Sequence, residues 1–290
     1  MCDCLVALPA VTQGRVTIFA KNSDRPPDER QVMEVIEPRL DRSALRCTHI
    51  DIEPWPHTTF GTVLSRPQWR GSLQCWGAEH GVNERGVAVG NEAIYTTLDP
   101  RPAPAALTGL DLVRLALERS ATAGEAVGTI TRLLDTYGQG GTAHDPAGAS
   151  GPKPYWSSFL VADPTAAWVI ETSGRTWQSA PVVDVAAISN RTTIAEFDAV
   201  HRHPRQPVER FVDARLAASR RVLAARPVSV ESIIAHLRSH DTCAEAGWSV
   251  CMHTDHEVTT ASMVAELPVG APPVIRWTVA SPCRSTYQVG

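Results

Sequence analysis

Short apolar runs broken by turn residues fill the first third of the chain, at 5–8, 16–20, 32–36, 48–52, 62–64 and 87–95. Each is too short for a helix, and several alternate apolar with polar side chains, the period-2 signature of a half-buried strand. Many such strands in succession predict antiparallel sheet. The period then lengthens. Thr108 with Asp111 three residues on opens an apolar series at Leu110, Val113 and Leu117, and Thr122 with Glu125 opens Ala126, Ile130, Leu133 and Leu134. Both are capping-box starts of amphipathic helices. Gly138-Gln139-Gly140-Gly141 closes the helical pair, and a loop rich in Gly and Pro follows at 148–154.

Strand patterning resumes at 158–162 and 167–172 around Asp163-Pro164-Thr165-Ala166, which predicts a hairpin, and continues at 176–183 and 186–189. A second helical block is expected over 208–225 and 229–239, with a closing strand at 274–279. A β-run, two helices, a second β-run, two helices and closing strands fit a layered α+β sandwich better than an alternating parallel fold. Neither a repeat nor an interdomain linker interrupts the pattern, so residues 1–290 are expected to form one domain. A chain of this length buries roughly 75% of its unfolded surface and needs no disulfides to build a core.

Composition narrows the function. The 27 Lys and Arg against 31 Asp and Glu give a net charge of −4 with no basic cluster, which argues against a nucleic-acid partner. No apolar run approaches the roughly 18–20 residues that cross a bilayer. The start, MCDCLVALPAV, carries Asp3 and lacks a positive leading segment, so a cytoplasmic protein without membrane partners is expected. Seven cysteines at irregular spacing, Cys2, Cys4, Cys47, Cys75, Cys243, Cys251 and Cys283, suit reduced thiols rather than a disulfide framework.

Candidate chemistry begins at Cys2. A small residue after the initiator methionine permits its removal, and a free N-terminal cysteine carries a thiol and an α-amine on one carbon, so the amine can act as base for its own nucleophile. A strand at 5–8 ties this terminus into a sheet. The polar run Lys21-Asn22-Ser23-Asp24-Arg25 follows the strand at 16–20, and a turn near 12–14 brings it back beside residue 2. A cation there favours thiolate, and a carboxylate holds the ammonium form of the amine. Only Lys21 and Lys153 are lysines among the 27 basic residues, so a compact cation at position 21 stands out against an arginine-rich background. Cys2 and Cys4 share a strand face, but no second Cys/His pair has zinc-like spacing to them. Cys251, His253 and His256 have a metal-like spacing, yet a structural zinc needs four ligands and the sequence supplies no evident fourth, so no metal is expected. No G-x-S-x-G elbow is present, and the GQGG segment follows a helix rather than a strand.

Several ordered motifs carry a family resemblance. CDCLVALP at 2–9, FAKNSDRPPDERQ at 19–31, LSRP at 64–67, WGAEHGVNERGVAVGNEA at 76–93, LTGLDLVRLALERS at 107–120, YGQGG at 137–141, ISNR at 188–191 and TTASMV at 259–264 resemble the secernins. These belong to the dipeptidase family with N-terminal cysteine, within the N-terminal nucleophile hydrolase superfamily. The resemblance implies a four-layer αββα sandwich of two stacked antiparallel sheets, with Cys2 as nucleophile at the head of a central strand. It implies Lys21 beside the thiol, Asp24 orienting the amine, and Asn91 and Asn190 binding the carbonyl oxygen of the substrate. Trp76 and His80, in the same motif as Asn91, are candidates for lining the substrate pocket. Where the related acylases and bile-salt hydrolases carry an arginine, this chain reads Thr259-Thr260-Ala261-Ser262-Met263, so their substrates do not carry over. The expected function is a cofactor-independent cysteine amidohydrolase acting on a dipeptide or an N-acyl amino acid. The alternatives are a noncatalytic regulatory protein and an acyltransferase using the same acyl-enzyme, and a homo-oligomer is compatible with any of the three.

Overall fold

The first apolar run does not alternate because neither face of its strand meets water. β1 (Cys2–Ala7) is buried along its whole length and pairs antiparallel with β2 (Thr17–Arg25). The computed structural model describes residues 1–40, 43–206, 208–241 and 246–290. Along it follow β3 (Gln31–Ile36), a small hairpin of β4 (Leu45–Arg46) and β5 (Asp51–Ile52), β6 (Thr62–Pro67), β7 (His80–Asn83) and β8 (Ala88–Ile94). The helices α1 (Gly109–Arg119) and α2 (Ala123–Tyr137) come next, then β9 (Trp156–Ala162), β10 (Ala167–Ser173), β11 (Thr176–Pro181) and β12 (Val185–Ile188). The last third holds α3 (Ala195–His201), α4 (Val208–Phe211), α5 (Asp213–Ala224), α6 (Val230–Leu237), β13 (Val258–Leu267), β14 (Val274–Thr278) and β15 (Gln288–Val289).

Two antiparallel sheets result, ordered β12-β1-β2-β13-β14-β15 and β11-β10-β9-β8-β7-β6-β3. Three apolar layers stack them. Leu112, Leu115 and Ile130 of α1 and α2 pack on Val89, Phe159 and Val161 of the seven-stranded sheet. Cys4, Val6, Phe19 and Met263 meet Ala88 and Leu160 between the sheets. Leu5, Ala7, Ile18 and Val264 lie under Leu216, Leu223 and Ile233 of α5 and α6. This is the expected α+β sandwich of four layers, αββα. The spacing of the two sheets depends on Gly90, where a Cβ would lie 2.6 Å from Cys4 Sγ and 2.9 Å from Lys21 Cδ.

Local signals behave as their chemistry requires. Thr108 and Asp111 form the reciprocal capping box of α1, and the Thr122 side chain caps α2. Asp163 Oδ1 accepts from Thr165 N and Ala166 N in the β9–β10 turn. Four expectations change. The segment 208–225 is two helices, because Val212 at φ −120°, ψ −50° interrupts the run. Residues 48–52 yield only the two-residue β5. The strand expected at 16–20 does not stop there, because the polar run 21–25 is the buried second half of β2. β13, with ten residues the longest strand among the described residues, is absent from the sequence pattern, because its Val-Thr-Thr-Ala-Ser start shows no alternation. Among the described residues no helix is long and apolar enough to cross a membrane. The described cysteines are free, and Cys243 lies outside the described residues.

Candidate active site

Strand register assembles the site. Cys2 pairs with Ser23 and Cys4 with Lys21, which brings the polar half of β2 against the head of β1. Side chains alternate across a sheet. The Cys2 and Lys21 side chains therefore share the face that looks into the space between the sheets. Lys21 is fully buried there; its Nζ donates to the Asn91 carbonyl at 2.7 Å and lies 3.8 Å from Glu79 Oε2. The Cys2 thiol is 3.9 Å from the same Glu79 oxygen and 4.0 Å from the Asp24 carbonyl.

The backbone of Cys2 is held by other groups. Its N–H donates to Asn190 Oδ1 at 2.8 Å, and its carbonyl accepts from Ser189 Oγ at 3.1 Å and Arg215 Nη1 at 3.2 Å. Asn190 is fixed in turn: Oδ1 also accepts from Arg215 Nη2, and Nδ2 donates to the Ala93 carbonyl at 2.9 Å. Asp24 Oδ1 accepts from Thr259 Oγ1 at 2.6 Å, while Oδ2 is buried with no partner among the described residues. Thr259 thus stands opposite Asp24, at the segment where the resemblance leads one to look for an arginine. Arg215 completes the set with a 2.5 Å ion pair to the wholly buried Asp3.

Burial decides the protonation states. Desolvation pushes the Cys2 thiol up to about 11, outweighing the attraction of Lys21, with Glu79 adding to the rise. Lys21 favours the thiolate, as a neighbouring cation should, but burial outweighs it, so at neutral pH the thiol keeps its proton and needs a base. Burial also raises Asp24 to about 7, against the pull of the terminal ammonium and Arg215.

Met1 sits above this group. Its ammonium is 3.3 Å from Glu257 Oε2 and 3.4 Å from the Asp24 carbonyl. Met1 lines a cleft of about 630 Å³, whose walls include Tyr95, Lys153, Phe211, Trp248 and Glu257. Phe211 and Trp248 meet with ring centroids 4.4 Å apart and planes tilted by 44°, and Lys153 Nζ is 2.9 Å from Glu257 Oε1. The cleft therefore combines an aromatic wall with a paired cation and carboxylate.

Of the residues singled out in the sequence, Cys2, Lys21, Asp24 and Asn190 converge. Asn91 joins them through its backbone carbonyl. Its side chain lies on the α1 side of β8, where Nδ2 donates to Tyr155 Oη at 3.1 Å and Oδ1 is 2.6 Å from where a Cβ on Gly109 would stand. Trp76 and His80 do not line the cleft. Trp76 packs beneath Arg114, 4.2 Å from guanidinium carbon to ring centroid, and borders a separate hollow with Arg46, Thr48 and Arg66. His80 is sealed between the sheets with neither ring nitrogen partnered among the described residues, and burial then Lys21 hold it neutral. Sequence reasoning missed Glu79, which lies between those two in the same motif, and Arg25, whose Nη1 donates to Glu79 Oε1 at 2.7 Å while the guanidinium also pairs with Glu29. It also missed Arg215, in a stretch where no motif is visible. The residues with metal-like spacing, Cys251, His253 and His256, do not all come together. His256 stays apart, whereas Cys251 and His253 meet His240 and Cys283.

No protein-family model matches the chain. Among solved structures it is similar to a mutant and a variant of the conjugated bile acid hydrolase from Clostridium perfringens, each with a TM-score of 0.56, at 11% and 12% identity. These matches cover 100% and 99% of this chain and 91% of each hydrolase. It is also similar to the Caenorhabditis elegans ortholog of N-acylethanolamine-hydrolyzing acid amidase, with a TM-score of 0.51 and 14% identity over 99% of both chains. At such identities the likeness is one of architecture, and the chain has the four-layer fold of the N-terminal nucleophile hydrolases.

Proposed function

We propose that the chain is a secernin-like cysteine amidohydrolase that cleaves a small C–N amide, a dipeptide or an N-acyl amino acid, through a thioester on Cys2. One observation carries the reading: Cys2 follows Met1 of the cleft lining, with Glu79 by its thiol, Asn190 on its backbone nitrogen, and the buried charges of Lys21 and Asp24 near enough to act on the thiol. The similar structures are named as hydrolases of acyl amides, which supports the same bond class.

Removal of Met1 converts the Cys2 amide nitrogen into an amine and opens the cleft floor. Asn190 Oδ1 then holds that amine, and Asp24 supplies a carboxylate for its charged form. The thiol proton passes to the amine as sulfur bonds to the substrate carbonyl carbon. Lys21 stabilises the sulfur anion in transit. The second N–H of Asn190 Nδ2, together with backbone N–H groups, receives the charge that develops on the carbonyl oxygen, an interaction that grows only toward the transition state. The side chain of Asn91 has Tyr155 as its partner, so its part is to hold Lys21 through its carbonyl. The ammonium returns its proton to the departing nitrogen as the C–N bond breaks. Water then attacks the thioester, giving one proton to the amine, and the thiol is regenerated. The paired Lys153 and Glu257 on the cleft wall suit a substrate that carries both charges, as a dipeptide does.

Intact-mass spectrometry tests this directly. Incubation with dipeptides and N-acyl amino acids should give turnover, and quenched samples should show a chain lacking Met1 with an acyl adduct that is absent in Cys2→Ala. Full activity with Met1 retained would sink the mechanism. Acylation without hydrolysis, released only by added amines, would turn the reading to acyl transfer. A chain that no small amide acylates would turn it to a noncatalytic role.

A further inference from the structure

We infer that His240, Cys251, His253 and Cys283 form a structural zinc site, remote in chemistry from the Cys2 centre. One ligand atom from each of the four lies within 4.8 Å of all the others. His253 Nε2 is 3.2 Å from Cys283 Sγ and 3.5 Å from Cys251 Sγ. A tetrahedral zinc, with Zn–S of about 2.3 Å and Zn–N of about 2.0–2.1 Å, spaces adjacent sulfur and nitrogen ligands about 3.6 Å apart. The 3.5 Å separation matches that edge, and the 3.2 Å one widens to it when His253 and Cys283 move apart by about 0.4 Å. His240 is the exposed member, and its ring centroid is 5.2 Å from that of His253. Two thiolates and two imidazoles in tetrahedral array select zinc over oxygen-seeking cations, and four protein ligands leave no position for catalysis.

The ligands come from three separate segments. His240 follows α6, Cys251 and His253 belong to the loop before β13, and Cys283 lies in the turn after β14. A metal here staples the end of α6 and the last turn of the chain to that loop. The loop carries Trp248 and Glu257 of the cleft wall. It also carries Met252, whose N–H donates to Thr259 Oγ1 at 2.8 Å, the hydroxyl that in turn donates to Asp24. Zinc thus fixes the wall of the cleft and the support of Asp24 without touching either.

The test uses the full chain, purified under reducing conditions without a histidine tag, loaded with zinc, dialysed and measured by elemental mass spectrometry. About one zinc per chain is expected, as for closed four-ligand sites. Replacement by cobalt should give the visible absorption of tetrahedral cobalt and a thiolate charge-transfer band, both lost in Cys251→Ser and Cys283→Ser. Because either cysteine variant could fail to fold, His240→Ala provides the second arm. It removes an exposed ligand, and it should release zinc to a chromophoric chelator about tenfold faster or more while keeping the circular dichroism of the wild type. Chelation of the wild type should lower its melting temperature. Absence of retained zinc after loading would overturn the proposal, as would equal zinc in the wild type and His240→Ala with unchanged release rates.

Discussion

The Cys2 thiol and the Cys2 nitrogen have different neighbours, and this separation governs the chemistry. On the thiol side, burial raises the proton affinity and Lys21 lowers it. Lys21→Met keeps the aliphatic stem but leaves Glu79 as the nearest charge to the sulfur, so the thiol should become harder to ionise. The pH profile of alkylation by iodoacetamide should move to higher pH, and at a fixed pH below it the rate should fall about tenfold for every pH unit the profile moves. Superimposable profiles would retire the electrostatic role of Lys21. At this scale much is legible in the sequence. Cys2, Lys21 and Asp24 can be read because a rare lysine and a polar run follow a strand that must return to the terminus. Glu79 cannot, since a lone glutamate in a sequence gives no sign that it will be buried against a lysine, an arginine and a thiol.

Among elements, α5 contributes most beyond the reach of sequence patterning. Its low amphipathicity hides a residue that turns inward: Arg215 is fully buried and bonds Asp3, the Cys2 carbonyl and Asn190 Oδ1. The sequence shows Asp3 inside a strand and Arg215 inside an arginine-rich helix, and nothing local links them across more than two hundred residues. Breaking a buried ion pair from one side leaves an uncompensated charge and costs about 3–5 kcal/mol. Arg215→Met should therefore lower stability by that amount in urea titrations. The double variant Asp3→Leu/Arg215→Met should recover most of it, because apolar replacement of both partners restores packing. Catalytic efficiency should recover in neither, since Asn190 loses its orienting partner in both. Full recovery of activity in the double variant would show that Arg215 acts on the fold alone. The helices whose caps are encoded locally, α1 and α2, are readable by contrast, because Thr108 and Thr122 act within one turn. β13 is not, because its place at the centre of a sheet is set by β2 and β14 rather than by its own pattern.

For the whole molecule, the space between the sheets sets the response to pH. Glu92 lies there beside Lys21 and the Cys4 thiol, and neither of its oxygens has an N–H or O–H partner among the described residues. Burial outweighs the pull of Lys21 and raises it from an ordinary 4.5 to about 8. Asp24 and Glu171, each raised to about 7, behave alike. A carboxyl with a raised value in the folded state keeps its proton there after the unfolded chain has lost it. The native state then binds more protons than the unfolded one, and stability falls as pH rises between the two values. Burial lowers His80, His144 and His236 below their ordinary 6.5, which has the opposite sign: stability rises with pH until the unfolded chain also loses those protons. The two effects oppose each other below about 6.5, where the histidines of the unfolded chain titrate. From about pH 6.5 to 8 the unfolded histidines finish titrating and the buried thiols, Cys2 among them, begin to add to the carboxyls' fall, so the Glu92→Gln comparison is what isolates Glu92 in this window. At about 1.4 kcal/mol per pH unit for one proton, Glu92 alone should remove about 1.5–2 kcal/mol across it. Urea midpoints at about pH 6.5, 7.2 and 8 should therefore decline for the wild type and decline less steeply for Glu92→Gln, which keeps the shape and cannot ionise. Parallel lines for the two proteins would mean that Glu92 holds its charge inside the sandwich, paired with Lys21, and that Lys21 is less available to the Cys2 sulfur than its position between the sheets implies.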